Sequence, residues 1–229
     1  LAALRHAVEI APGDGRLWTG LARLCAINYS MELLPEAQVP IEEIITYAEK
    51  GVRLSSANQP AWSVLSFAHT IAGDLQGGRE AILTVLAQNP DSLFFRDIVG
   101  YLLTLQGDWE RGPAIAREAV RINPFVREAV FCALWLDTFR QEAFDDAYAW
   151  TQRFMNPSNF WSPLMAAATL ARLGQQKKAK HFIGHLLQLR PDFRENGHRL
   201  IRHYVKFEDL ACGIEDALKV AGLDLPHVA

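Results

Sequence analysis

The chain lacks any long uninterrupted hydrophobic run. Half of its 229 residues are hydrophobic, yet Arg, Glu or Gln interrupts every stretch before the roughly 18 to 20 apolar residues that a membrane span needs. Residues 1–11 are not a secretion signal either, because Arg5, His6 and Glu9 lie within their apolar face. We therefore predict a protein with no transmembrane helix and no membrane partner.

Cysteine is also scarce. Cys25, Cys132 and Cys212 are far apart in the chain, and none belongs to a Cys-x-x-Cys pair that would suggest zinc or redox chemistry. Isolated thiols fit a reducing compartment, so we expect a cytoplasmic protein. The net charge of −3 and the hydrophobic content are those of an ordinary globular chain that can bury a large core.

Proline, or serine in its place, recurs at a nearly fixed interval. Ser56, Pro90, Pro124, Pro157 and Pro191 lie 34, 34, 33 and 34 residues apart, and each follows an apolar helical stretch. A period near 34 in an all-helical pattern indicates helix-turn-helix repeats. One hairpin cannot bury its apolar face alone, so neighbouring hairpins stack and share a continuous core.

Glycine falls midway between these marks, where the first helix of each hairpin must stop. Gly73, Gly107 and Gly174 each occupy such a position and can adopt the left-handed conformation that closes a helix. The corresponding turn at 140–143 contains no glycine. We therefore expect a slightly irregular hairpin there.

The first interval is longer than the others. From Pro12 to Ser56 there are 44 residues, and the surplus at 28–40 contains two prolines, which predict an enlarged connection inside the hairpin. Because Leu1 already begins in what reads as the second helix of a repeat, we expect a fragment of a longer protein. The predicted organisation is a repeat array over 1–192, with its first repeat truncated, followed by capping helices and a tail over 193–229.

Three sets of residues carry a resemblance to a known family. Trp18 with Leu21 and Trp62 with Leu65 form Trp-x-x-Leu pairs, and small residues occupy the helix crossings at Ala22, Ser66, Gly100, Ala133 and Ala167 and the second helices at Gly112, Ala147 and Ala179. The chain resembles the tetratricopeptide repeat family over nearly its whole length. The resemblance implies an all-α, right-handed solenoid whose first helices line a concave groove.

A narrower resemblance concerns the last repeat. Residues 161–193 and 214–225 are similar to the end of bacterial arrays that follow a class III nucleotide cyclase or a winged-helix DNA-binding domain. This resemblance implies a non-catalytic part of a bacterial cytoplasmic signalling or transcription-regulatory protein. Its own N-terminal effector domain is then one candidate partner.

Catalytic and metal-binding patterns are weak. His181 and His185 are four residues apart on one predicted helix, but no further metal ligands accompany them, and solvated histidines are the preferred interpretation. The Gly73, Gly77 and Gly78 cluster lacks the strand and the Lys-Ser/Thr of a phosphate loop. We predict no enzyme activity, no cofactor and no metal.

Positive charge is concentrated near one end of the chain. Between Arg172 and Lys206 there are nine Lys or Arg against two Asp or Glu, a local charge of +7, so the rest carries −10. Such a patch can bind an acidic partner or simply solvate outer helices. Nucleic acid is disfavoured because Lys177, Lys178 and Lys180 lie on a second helix, which faces outward.

The repeat register predicts which side chains face the groove. They are aromatic in the middle and arginine-rich at the ends: Arg16, Thr19, Arg23, Ser63, Phe67, Thr70, Phe94, Asp97, Tyr101, Arg127, Asp137, Trp161, Arg172 and Arg202. Aromatic and arginine side chains dominate binding hot spots, so we expect a protein or peptide partner with apolar anchors and a carboxylate. The alternative is that Phe67, Phe94 and Tyr101 fill the seam between neighbouring helices.

The predicted function is a protein–protein interaction module that binds a partner segment in this groove, with the 28–40 connection as a second candidate surface. A chaperone adaptor is disfavoured, because the basic and asparagine clamp of some family members is replaced by Thr19, Ser63, Asp97, Val130 and Leu164. Self-association into a homo-oligomer, a scaffold without an effector, and a small-molecule sensor remain as alternatives. A closed apolar inner pocket would favour the sensor.

Overall fold

The computed structural model describes residues 1–90, 92–154 and 156–226, and within them all regular structure is helical. The α-helices, numbered in chain order, are α1 Ala2–Ile10, α2 Gly15–Met31, α3 Ile41–Leu54, α4 Gln59–Ala72, α5 Leu75–Gln88, α6 Leu93–Leu105, α7 Arg111–Ile122, α8 Ala129–Arg140, α9 Phe144–Thr151, α10 Trp161–Arg172, α11 Gln176–Leu189, α12 Phe193–Tyr204 and α13 Glu208–Val220. None of these described helices is long and apolar enough to cross a lipid bilayer.

The helices form a stack of hairpins. Helices α2 to α11 pair in order as five helix-turn-helix units, and each unit packs on the next through its first helices, α2, α4, α6, α8 and α10. Helix α1 packs on α2, ahead of the first complete hairpin. Stacking buries the apolar faces that a single hairpin would leave in water. The predicted all-α repeat architecture is confirmed.

The hairpin turns share one backbone geometry. Gly73, Gly107 and Gly174 adopt positive φ angles of 92°, 79° and 72°, as expected for the residue that ends each first helix. At the turn without glycine, Glu142 takes this conformation with a φ of 58°. The backbone of that turn is therefore like that of the other turns. The hairpin is irregular, as predicted, in another respect: its second helix, α9, has only 8 residues.

The Asn28 side chain helps to hold the long connection that follows α2. The Asn28 amide accepts from the Leu34 backbone N–H at 2.7 Å and donates to the Leu34 carbonyl at 3.0 Å. A short 3-10 helix, Pro35–Ala37, follows. These bonds fold the segment back onto the end of α2, while Leu33 and Leu34 stay exposed.

The last two helices depart from the repeat pattern. Helix α13 packs on α10, in the position that the next first helix would occupy. Helix α12 instead turns to the inner side of the array and contacts α2 and α4. The C-terminal pair therefore covers the last repeat with one helix and reaches back to the first complete repeats with the other.

Candidate functional site

Three of the predicted groove residues meet on the inner side of the array. Phe67 of α4, Tyr101 of α6 and Trp161 of α10 surround Tyr204, the last residue of α12. The ring centroid of Tyr204 lies 6.2 Å from that of Phe67 and 5.5 Å from that of Trp161. We call Phe67, Tyr101 and Trp161 the inner face. In this structure its occupant is a helix of the same chain.

Tyr204 also forms a polar contact with the first complete repeat. Its hydroxyl lies 2.9 Å from Oγ of Ser30, near the end of α2. Burial raises the pKa of Tyr204, and of Tyr101 beside it, well above the ordinary value for tyrosine. Both phenols are therefore neutral. Their rings supply apolar surface, and each hydroxyl can form hydrogen bonds.

The C-terminal end of α2 is held by basic residues that follow the repeats. Arg190 donates to the Met31 carbonyl at 2.6 Å, and the Glu32 carboxylate forms ion pairs with Arg190, at 3.8 Å, and with Arg199. The last carbonyls of a helix lack partners within the helix and carry partial negative charge, so cations are favourable there. Glu32 adds a formal negative charge at the same point, with a φ of 49°.

His203 completes this contact. Its ring stacks on Tyr29 with centroids 5.0 Å apart, and Nδ1 lies 3.4 Å from the Ser30 carbonyl. The pKa of His203 is lowered to about 4, chiefly by burial, with the Ser30 carbonyl opposing the shift and the nearby Lys206 and Arg199 adding to it. The imidazole is therefore neutral near pH 7.

Residues 205–207, which we call the strap, continue from α12 across the ends of two first helices. Lys206 donates from Nζ to the Ile71 carbonyl in the last turn of α4 at 2.7 Å. Burial lowers the pKa of Lys206 to about 8. Phe207 packs edge-on against Trp109, with centroids 5.2 Å apart, and against Gly107. The strap therefore covers the turns of the second and third complete hairpins.

Phe94, Asp97 and Arg127 lie together at another place. Arg127 forms an ion pair with the buried Asp97, and its guanidinium lies 4.8 Å from the ring centroid of Phe94. With the exposed Ile122 and Phe125, these residues line an open cleft of about 470 Å³ at the end of α7. The cleft is separate from the inner face.

Asp137 is a buried anchor. Its carboxylate accepts from Arg117 at 2.6 Å, Gln141 at 2.8 Å and Arg140 at 3.3 Å, and the residue is 1% exposed. These bonds tie α7 to the end of α8. Removing one member of a buried ion pair leaves the other without a partner, so Asp137 has a clear structural role.

The remaining predicted arginines lie at the two ends of the array. Arg16 and Arg23 are exposed on α2, and Arg16 pairs with Asp14, the N-cap of that helix. Arg172 donates to the Gly213 carbonyl at 2.9 Å, and Arg202 pairs with Glu208 and Glu215. A role in partner binding for any of these side chains stays a prediction.

The two histidines considered as metal ligands lie next to each other on α11. The ring centroids of His181 and His185 are 4.3 Å apart. Within residues 1–90, 92–154 and 156–226, no group of three or more His, Cys, Asp or Glu side chains could hold a metal ion.

Several residues of this site were missed by the sequence reasoning. They are Ser30, Glu32, Arg190, Arg199, His203, Tyr204 and Phe207. One signal was present: α12 is far more polar than the other first helices and ends in the aromatic cluster His203-Tyr204, followed by Phe207.

Comparisons with known proteins identify the architecture. No protein-family model and no curated protein matches the chain. Among solved structures, the anaphase-promoting-complex hetero-tetramer Cut9–Hcn1 matches over 96% of this chain and 42% of that chain, with 14% identity and a TM-score of 0.67. The chain has the tetratricopeptide-like solenoid fold.

Two further structures, both tetratricopeptide-like, match over similar lengths. PilW, a type IV pilus biogenesis factor, has 16% identity and a TM-score of 0.60 over 89% of this chain and 90% of that chain. PilF of Pseudomonas aeruginosa has 18% identity and a TM-score of 0.54 over 90% of each chain. These similarities support the predicted right-handed superhelix of hairpins.

Proposed function

We propose that this chain is a non-catalytic interaction module that holds a helical protein segment on the inner face of its superhelix. The observation that carries the proposal is the position of α12. Phe67 of α4 and Trp161 of α10 contact that helix, as do Ser30 and Glu32 at the end of α2, and the Ile71 carbonyl holds the strap. A surface that holds one helix in this way can hold another of the same character.

The contacts suggest what such a helix must carry. Glu32 and the carbonyls at the end of α2 attract basic groups, while Phe67 and Trp161 accept an aromatic ring. The preferred partner is thus a basic helix with an aromatic anchor. The sequence had predicted a partner with a carboxylate, but Arg172 and Arg202 are already bonded to groups of this chain.

The cellular setting of the proposal comes from the resemblance. We take the partner segment to belong to a bacterial cytoplasmic signalling or transcription-regulatory system, with an effector domain of the same protein as the first candidate. In that arrangement α12 and the partner compete for the inner face. A tethered helix has an effective concentration on the order of millimolar, so a partner binds only when its affinity overcomes that competition.

The test is to supply α12 in trans. A fluorescently labelled synthetic peptide of residues 190–207 is titrated into the full chain and into a variant with Arg199→Ala and Tyr204→Ala, with binding followed by anisotropy. Because the variant loosens the tethered helix, we expect it to bind the peptide at least about tenfold more tightly than the wild type.

The matched control is Lys177→Ala, which removes a basic residue from the outer helix α11 and should bind the peptide as the wild type does. Circular dichroism checks that both variants stay helical. If the loosened variant is folded and still shows no gain in peptide affinity, the inner face is not a helix-binding surface and the proposal is wrong.

A further inference from the structure

A small cavity lies where α12 meets the inner face. It has a volume of about 130 Å³, and residues from α2, α6, α8, α10 and α12 line it. Four of its lining side chains are aromatic: Tyr101, Phe154, Trp161 and Tyr204. Among the described residues that line it, Glu128, at the start of α8, has the one formally charged side chain.

We propose that this cavity binds a small methylated ammonium ion, such as the trimethylammonium group of choline. Aromatic ring faces carry negative charge density and attract organic cations, and several rings around one space form the usual cage for a quaternary ammonium. Trp161 and Tyr204 lie at 80° to each other, which forms one corner of such a cage.

The charges around the cavity favour a cation over an anion. Burial raises the pKa values of Tyr101, Tyr204 and the Cys132 thiol, the last to about 12, so these groups are neutral. The Glu128 carboxylate accepts from Asn156 Nδ2 at 2.9 Å. Among the described residues, no basic side chain forms an ion pair with it.

The N-terminus of α10 lies at the cavity but has few free N–H groups with which to bind an anion. The first amide of α10, that of Trp161, already donates to Asn159 Oδ1 at 3.0 Å, and the Leu164 amide donates to the Phe160 carbonyl at 3.1 Å. Donors taken up in this way are not free for a carboxylate or phosphate.

The volume suits a ligand of this size. An engineered apolar cavity of about 150 Å³ holds a benzene molecule, so a cavity of 130 Å³ has room for about six or seven heavy atoms. The trimethylammonium group fits that limit, whereas a peptide segment does not. This inference needs α12 in place because Tyr204 is one wall, but it does not depend on exchange of α12 for a partner.

Calorimetric titration of the full chain with choline chloride tests the site. The comparison ligand is the uncharged isostere of choline in which a quaternary carbon replaces the nitrogen, and sodium chloride is matched in both titrations. We expect choline to bind at least about tenfold more tightly than the isostere. Equal affinities would show a merely apolar cavity, and absence of choline binding would equally overturn the proposal.

Variants separate the two recognition elements. Glu128→Gln should weaken choline about fivefold or more and leave the isostere unchanged. Trp161→Phe, which replaces the largest ring of the cage with a smaller one, should weaken choline and tetramethylammonium alike. Glu118→Gln, which removes a carboxylate from the distant α7, is the matched control and should bind choline as the wild type does. If Glu128→Gln is folded and retains full choline affinity, the cation assignment is wrong.

Free choline and the head group of phosphatidylcholine share this chemistry. Sedimentation with phosphatidylcholine vesicles distinguishes them: protein in the pellet would assign the lipid as the source, and protein in the supernatant together with choline binding would assign the soluble molecule. Loss of choline binding would leave the result of the peptide titration unchanged, so the two proposals can fail separately.

Discussion

At the scale of single residues, Gly107 is the turn glycine that has both a positive φ and a close contact with another part of the chain. Its φ of 79° favours glycine, and a methyl group at its Cα would overlap the ring of Phe207 in the strap. Gly174 has a similar φ of 72°, but a methyl group there would meet no atom within 4 Å. Comparing alanine substitutions at Gly107 and Gly174 therefore distinguishes the effect of backbone strain from the effect of contact with the strap.

We predict that Gly107→Ala lowers the free energy of unfolding by about 2–3 kcal/mol and Gly174→Ala by about 1 kcal/mol. The extra loss at Gly107 comes from the displaced Phe207 ring. Urea unfolding of both variants, alone and combined with Phe207→Ala, measures it. If the difference between the two glycine variants persists when Phe207 is absent, contact with the strap does not explain it.

The two glycines also show how far sequence reasoning reached. Their place in the turns could be predicted, because the requirement for a left-handed residue is local and repeats with the period of the array. The contact with Phe207 could not be predicted, because it joins residues one hundred positions apart and depends on where α12 turns. Phe67, Tyr101 and Trp161 were placed on the inner side, but their occupant was not foreseen.

At the scale of elements, two helices end on a glutamate in the left-handed conformation. Glu142 follows α8 and is exposed, whereas Glu32 follows α2 and holds Arg190 and Arg199. The backbone cost is similar at both positions, because a side chain is disfavoured at such φ angles. Only Glu32 offsets that cost with ion pairs.

Glycine substitution should therefore act in opposite directions at the two helix ends. Glu142→Gly should raise the free energy of unfolding by about 0.5–1 kcal/mol by removing the strain. Glu32→Gly should lower it by about 2 kcal/mol, since two arginines lose their partly buried partner. Thermal and urea unfolding measure both values. Stabilisation by Glu32→Gly would contradict the role assigned to its carboxylate.

For helix α12, the sequence predicts that a helix forms but not where that helix packs. Its helical character and approximate bounds were evident, because its apolar residues Phe193, Leu200 and Ile201 have helical spacing. The face against which it packs was not evident, since the same apolar stripe fits the end of a stack or its inner side. The polar contacts with Ser30 and Glu32 decide between them, and those contacts are not local in sequence.

At the scale of the whole molecule, His203 makes stability depend on pH. Its folded-state pKa of about 4 lies below the value near 6.5 of a free histidine, so the unfolded chain takes up a proton first as pH falls. The contribution of the neutral imidazole is therefore fully present above about pH 6.5 and is lost as pH falls toward 4. Glu32, 4.0 Å away, is the carboxylate that faces it.

Between pH 7 and pH 5, we expect His203 to account for a loss of about 2 kcal/mol in the free energy of unfolding. Urea midpoints of the wild type and of His203→Gln at the two pH values measure this loss, which should be absent from the variant. His185→Gln, at an exposed position on α11, is the control and should keep the wild-type dependence. An unchanged pH dependence in His203→Gln would contradict the assignment.

Contacts such as that of Tyr204 with Ser30 join residues 174 positions apart, and they bear on how the protein is made. Repeats fold locally from the N terminus as the ribosome adds about 5–20 residues per second, but α12 leaves the ribosome only after every hairpin. For the seconds before α12 emerges, the nascent array exposes Phe67 and Trp161 to the surrounding medium. During this brief interval, the inner face is open to another chain, before α12 covers it.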